Sequence, residues 1–258
     1  MYGEHLAKIK SETAKAILRA AYHLEVEDPY NYLPEIKLFL REGGNLVLYG
    51  NHIAFDDPAF AILFHARYLD PKRERHLIIP ASHWHTNPDN NKQFYLATKA
   101  AEFFFGAEIF RLIQSYMIND PKFGSYTAKD ASDNHLNFFS QLRNLRRKRV
   151  PTTLLIYPEG HRSENGGLQS IEEGLTTAGN IMKPTIYVPL ATYYKTPFSR
   201  DKLNLRTTGR SAHISVGLPY FLLEGQKKPS AANLMWNLAR NLPLHMQGPY
   251  AQSLSQGM

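Results

Sequence analysis

The stretch Asn45-Leu-Val-Leu-Tyr49-Gly50-Asn51-His52-Ile53-Ala54-Phe55-Asp56-Asp57-Pro58 decides the fold. Its first half is a short apolar run after Gly43-Gly44, the mark of a strand buried on both faces. Its second half starts a helix: Asp56 or Asp57 serves as N-cap, Pro58 suits the first helical turn, and Ala59 to Tyr68 continues with helical apolar spacing. A strand running at once into a helix is the repeating unit of an α/β sheet. Working outward, the same alternation recurs. Further strands are expected at His76 to Pro80, Thr152 to Tyr157 and Thr185 to Leu190, and helices at Glu35 to Arg41, Phe94 to about Met117, and about Ala131 to Arg147. The expected architecture is α/β: one domain, a mixed sheet flanked by helices, with an N-terminal helical extension. Residues 1–34 form an amphipathic helix and linker, 35–242 the main domain and 243–258 a loose polar tail.

Composition narrows the function classes. The chain has 258 residues, 43% hydrophobic and 21% charged, and no cysteine. Disulfide scaffolds, thiolate metal sites and cysteine nucleophiles are therefore out, and a reducing compartment is expected. No run of about 18 apolar residues occurs, and Met1 to Glu12 lacks a signal-peptide core. The expected location is the cytoplasm, or the cytoplasmic face of a membrane as a peripheral protein. A formal charge of +7 fits anionic lipid, phosphorylated substrates or nucleic acid equally. No nucleic-acid-binding motif accompanies it, so a nucleic-acid partner is not expected.

His52 and Asp57 are the first candidates for chemistry. An aspartate folded back across a strand-to-helix turn can hold one imidazole nitrogen, leaving the other to take a proton from a hydroxyl. Spacing alone is weak evidence: 11 histidines and nine aspartates would give roughly 0.4 such pairs by chance, and there are three. His23 with Asp28 and His65 with Asp70 are the others, but only His52 follows a buried strand and precedes a helix start. A second motif, Leu154-Leu-Ile-Tyr-Pro158-Glu159-Gly160-His161-Arg162-Ser163, again ends a buried strand in a tight loop. Glu159 and Arg162 need partners there, either each other, backbone amides or a ligand, and arginine suits a phosphate.

Taken together, these segments resemble a known family. Asn51-His52 with Asp57, then Tyr157-Pro-Glu-Gly-His-Arg-Ser163, then Val188-Pro189-Leu190-Ala191 and Val216-Gly217-Leu218-Pro219 resemble, in order and context, the blocks of glycerolipid acyltransferases. That family includes lysophosphatidic acid and glycerol-3-phosphate acyltransferases, enzymes of phospholipid biosynthesis. The resemblance spans roughly residues 30–225. It implies transfer of a fatty acyl group from an acyl-coenzyme A or acyl-carrier-protein thioester to a hydroxyl of a glycerolipid-like acceptor, with no metal or cofactor. His52 would be the general base, Asp57 its orienting partner, and Asn51, Glu159, Gly160, Arg162 and Ser163 would shape the acceptor site, Arg162 on a phosphate. A thioesterase, or a lipid-binding protein on the same fold, are the alternative readings.

Three departures from that family's pattern stand out. His161 replaces a usual threonine. No arginine ends the segment Tyr116-Met-Ile-Asn119-Asp120, so Arg111 and Lys122 are the nearest substitutes. Glu172-Glu173, not a lysine, precede Gly174.

Other features have simpler readings. The N-terminal helix is expected to pack on the domain rather than enter a membrane, its apolar face being rich in alanine. His83-Trp84-His85 reads as a surface loop rather than a metal pair, and Arg143, Arg146, Arg147, Lys148 and Arg149 as a charged helix end. Phe103-Phe104-Phe105 reads as core, in the region where an apolar groove for an acyl chain is expected. No Gly-x-Ser-x-Gly elbow occurs.

Overall fold

Strand β2 (Asn45–Gly50) is the axis of the molecule, and all of its residues are buried. Leu46 and Leu48 face one apolar layer while Val47 and Tyr49 face another, the period-two alternation of a strand covered on both sides. Full burial of each such leucine contributes roughly 1.5–3 kcal/mol. The computed structural model describes residues 2–169, 171, 174–195 and 198–251.

β2 lies between two parallel neighbours, β5 (Thr152–Ile156) and β6 (Thr185–Tyr194). Beyond β5 come β3 (His76–Ser82) and then β4 (Glu108–Leu112), also parallel. On the other side, β7 (Ser211–Val216) and β8 (Tyr220–Leu222) run antiparallel to different halves of β6. β1 (His23–Glu27) joins β7 in parallel and closes that edge. Among the described residues this is one mixed sheet of eight strands with seven α-helices around it.

The helices divide by face. Helices α1 (Tyr2–Ala21), α2 (Leu33–Arg41), α3 (Asp57–Phe64) and α4 (Lys92–Phe105) cover the Leu46 and Leu48 side. Helices α5 (Ala128–Arg147), α6 (Gly174–Ile181) and α7 (Ala231–Ala239) cover the Val47 and Tyr49 side. The α/β class, the mixed sheet and the helical N-terminus match expectation. No helix among the described residues is long and apolar enough to cross a membrane.

Several boundaries differ from the sequence expectation. The helix expected to reach Met117 stops at Phe105, where Gly106 takes a left-handed conformation with φ 64° and the freed apolar residues pair as β4. The segment expected as helix and linker over residues 1–34 is helical to Ala21 and then contributes a strand, because the alternating His-Leu-Glu-Val-Glu that follows forms β1. β6 continues past Leu190 to Tyr194. From Pro243 a loose tail is expected, yet Met246 is buried, its carbonyl accepts from the Leu168 amide, and the chain is packed through Tyr250. Residues 252–258 lie outside the described residues.

Candidate active site

The carboxyl ends of β2, β5, β3 and β4 point the same way, and the loops leaving them meet around His52. Ligands of open α/β sheets bind at this kind of rim. Here β2 ends at Gly50, and the chain turns through Asn51 to Asp56 into α3.

Asp57 is the first residue of α3, and its carboxylate reaches backward. Oδ2 accepts from the Ile53 and Ala54 amides, each at 2.7 Å, and lies 3.1 Å from His52 Nδ1. Oδ1 accepts from the Tyr194 hydroxyl at 3.1 Å. A buried carboxylate with this many donors is an acceptor, so Nδ1 of His52 carries the proton and Nε2 keeps its lone pair. The His52 side chain is 16% exposed while that of Asp57 is fully covered. Tyr157 stacks on the imidazole, ring centroids 4.5 Å apart, which fixes the plane of the ring. Burial and the Asp57 charge push the Tyr194 phenol well above its usual range, so it remains a donor to Asp57.

The backbone of His52 is held from the second motif. Its amide donates to Glu159 Oε1 at 2.9 Å, and its carbonyl accepts from the Ser163 amide at 2.7 Å. Glu159 Oε2 accepts from the Gln169 amide, and the Ser163 hydroxyl donates to the Gly167 carbonyl. Asn51 clamps Thr192 of β6 in both directions. Asn51, Glu159 and Ser163 are each about 1% exposed. These three expected acceptor-site residues are therefore turned inward, where they position the histidine. Burial raises the Glu159 carboxyl to about 7, against the two amides that favour its charged form.

Gly160 takes a left-handed φ of 72° that turns the loop, and its carbonyl accepts from Gln114 Nε2. Gln114 also accepts from the Tyr116 hydroxyl, which lies 3.2 Å from Ser82 at the end of β3. Arg162 faces the 199–204 loop: Nη1 donates to the Arg200 carbonyl at 2.7 Å and pairs with exposed Asp201 at 2.9 Å. Only the Asp201 end of this pair is exposed, so the carboxylate can give way to a competing anion while Arg162 stays anchored on the Arg200 carbonyl. His161 is exposed.

The two substitute cations stay apart from this network. Arg111 is exposed on β4, opposite Ala81, and its positive charge adds to the burial that lowers His83. Lys122 lies over the Phe123 ring. Neither hydrogen-bonds His52, Asp57 or the 159–163 loop among the described residues. Glu172 and Glu173 lie outside the described residues. His83 Nδ1 is 2.7 Å from the Tyr126 hydroxyl, and no group of three or more metal-ligating side chains occurs among the described residues. His85, read from sequence as part of a surface loop, is lowered by burial and by the charges of Arg162 and His52, which puts it beside the same rim. Phe103 is exposed rather than core, with the Lys10 ammonium 4.0 Å from its ring centre.

Sequence reasoning did not find Tyr194, Gln114 or the Asp56 anchor. Asp56 makes no side-chain cap; its carboxylate instead accepts from the Asn204 amide and side chain, pinning the 199–204 loop to the start of α3. Compared with known proteins, the chain matches no family model and no curated protein.

Proposed function

We propose that the chain is an O-acyltransferase that moves a fatty acyl group from an acyl-coenzyme A or acyl-carrier-protein thioester to a hydroxyl of a glycerol-phosphate or lysophospholipid acceptor. The observation that carries this reading is the His52–Asp57 pair, with Asp57 pinned by two amides and a phenol and His52 Nε2, which has no hydrogen bond among the described residues, at the sheet rim. The order of motifs, similar to that of glycerolipid acyltransferases, selects acyl transfer from the reactions such a base can serve.

In this mechanism Nε2 takes the acceptor hydroxyl's proton as the oxygen adds to the thioester carbonyl. The tetrahedral intermediate then collapses, breaking the carbon–sulfur bond, and the imidazolium returns its proton to the leaving thiolate. Asp57 stabilises the imidazolium between these steps and is not itself protonated. Arg162 holds the acceptor phosphate by exchanging Asp201 for it. Peripheral contact with a membrane would deliver the lipid acceptor.

Thiol release from acyl-coenzyme A, with and without lysophosphatidate, tests the proposal, and a cysteine-free protein adds no background. Release that depends on lysophosphatidate and is lost in His52→Ala is the expected result. Undiminished release in a folded His52→Ala protein overturns the mechanism, and free fatty acid as the only product makes the chain a thioesterase.

A further inference from the structure

We propose that Arg19, Arg67 and Arg206 form a phosphate-binding site, separate from the His52 rim, in the cavity between α1, the start of β1 and the segment that follows α3. The cavity holds about 230 Å3, well above the roughly 30 Å3 of one liquid water. Four remote segments build it. Arg19 comes from the last turn of α1, Arg67 from the π-helical turn His65–Leu69 and Arg206 from the short turn Arg206–Thr208. His23 lines it too, but its Nε2 is already 3.1 Å from Glu25 Oε1.

Charge and partnership point to an anion. No carboxylate lines the cavity, and among the described residues none of the three guanidiniums has an ion pair or side-chain hydrogen bond; Arg67 only stacks over Tyr68. Arg162 and Arg146, by contrast, each meet a carboxylate, Asp201 and Glu224 respectively. Three like charges around one concavity repel one another, and a multiply charged anion relieves that repulsion. Guanidinium forks match phosphate oxygens in pairs. The floor is apolar, made by Leu63, Phe64 and Tyr68, so the phosphate is carried by a molecule with an apolar or aromatic part. A second cavity, lined by Arg143, Arg146 and Arg147, lacks this character because Glu224 neutralises Arg146.

The test is titration of the full chain carrying His52→Ala, which prevents turnover, with inorganic phosphate, free coenzyme A and monomeric short-chain lysophosphatidate, read by calorimetry. Saturable binding of at least one is expected, weakened about ten-fold by Arg67→Gln and again by Arg206→Gln, with Arg143→Gln/Arg147→Gln unchanged. Tighter coenzyme A identifies a nucleotide phosphate, tighter lysophosphatidate a lipid headgroup, and equal binding of all three a free phosphate. Should Arg67→Gln fail to fold, the exposed Arg206→Gln gives the answer alone. Absence of binding by all three ligands, or affinity unchanged in the folded Arg206→Gln and Arg67→Gln/Arg206→Gln variants, overturns the site. Binding here does not need the His52 base, so failure of acyl transfer and failure of this site are separate results.

Discussion

His52 with Asp57 and His65 with Asp70 share one spacing and sit at opposite ends of the same helical segment, yet they do different work. Asp57 reaches backward to the Ile53 and Ala54 amides, which brings its carboxylate over its own histidine. Asp70 reaches forward to the Glu74 and Arg75 amides, and His65 is left to bond Thr153. Asp28, in the third pair of this spacing, also reaches forward, to Tyr32 and Leu33. A histidine and an aspartate at this interval become a pair only when the aspartate grips the chain behind it. Surroundings add to the contrast. His65 is buried beside Arg75, which donates to the Leu40, Gly44 and Thr152 carbonyls, and its imidazole is lowered to about 3 and held neutral. His52 keeps an open edge.

The largest expected effects separate these roles outright. His52→Ala should lower acyl transfer by about 10²–10⁴-fold with little change in unfolding midpoint, and Asp57→Asn should fall in the same range. His65→Ala should do the reverse, keeping the rate per folded molecule while lowering stability by about 2–4 kcal/mol, because it opens a cavity and strips Thr153 of a partner. Denaturant titration beside the rate assay reads both. A large loss of rate in folded His65→Ala would erase the contrast.

Acidity sharpens it next. The Glu159 carboxyl is raised from 4.5 to about 7, so the folded state holds an extra proton between those values and gains stability as pH falls through that window. His65 is lowered from 6.5 to about 3, so there the unfolded state holds the extra proton and stability is lost as pH falls. Each slope is at most about 1.4 kcal/mol per pH unit, and the two oppose between pH 4.5 and 6.5. Relative to the parent protein, Glu159→Gln should lose stability on acidification across that window and His65→Ala should gain it. Parallel stability–pH curves for the two variants would contradict the assignment.

Smaller effects probe the two aspartates and the phenol. Asp70→Ala removes two amide acceptors and should cost about 1 kcal/mol in chemical denaturation without touching the rate. Tyr194→Phe deletes one of the donors to Asp57 and should lower kcat by about three- to ten-fold with KM unchanged, the size of one lost hydrogen bond. A raised KM with normal kcat would instead place Tyr194 against the acceptor.

What the sequence disclosed follows from the range of the interactions involved. β2, β3, β5 and the first part of β6 are apolar runs whose burial is written locally, as is the turn that carries His52. β1 and β4 were hidden because their pairing partners are remote and their neighbours read as helix; the left-handed Gly106 was the local signal for the second. Glu159 and Ser163 were found as residues but not in their orientation, since the groups they hold belong to His52, over a hundred residues earlier. Tyr194 and Gln114 carry no local motif at all. Their partners, Asp57 at the start of α3 and the Gly160 carbonyl in the loop after β5, come from remote segments.

The central place of β2 also sets an order of events during synthesis. Its two neighbours begin at Thr152 and Thr185, so at about 5–20 residues per second the strand waits roughly 7–27 s after leaving the ribosome before both can flank it. Until β5 emerges Leu46, Val47 and Leu48 have no native strand on either side, and until β6 follows they have one on one side only, so a holding chaperone would find its preferred target there.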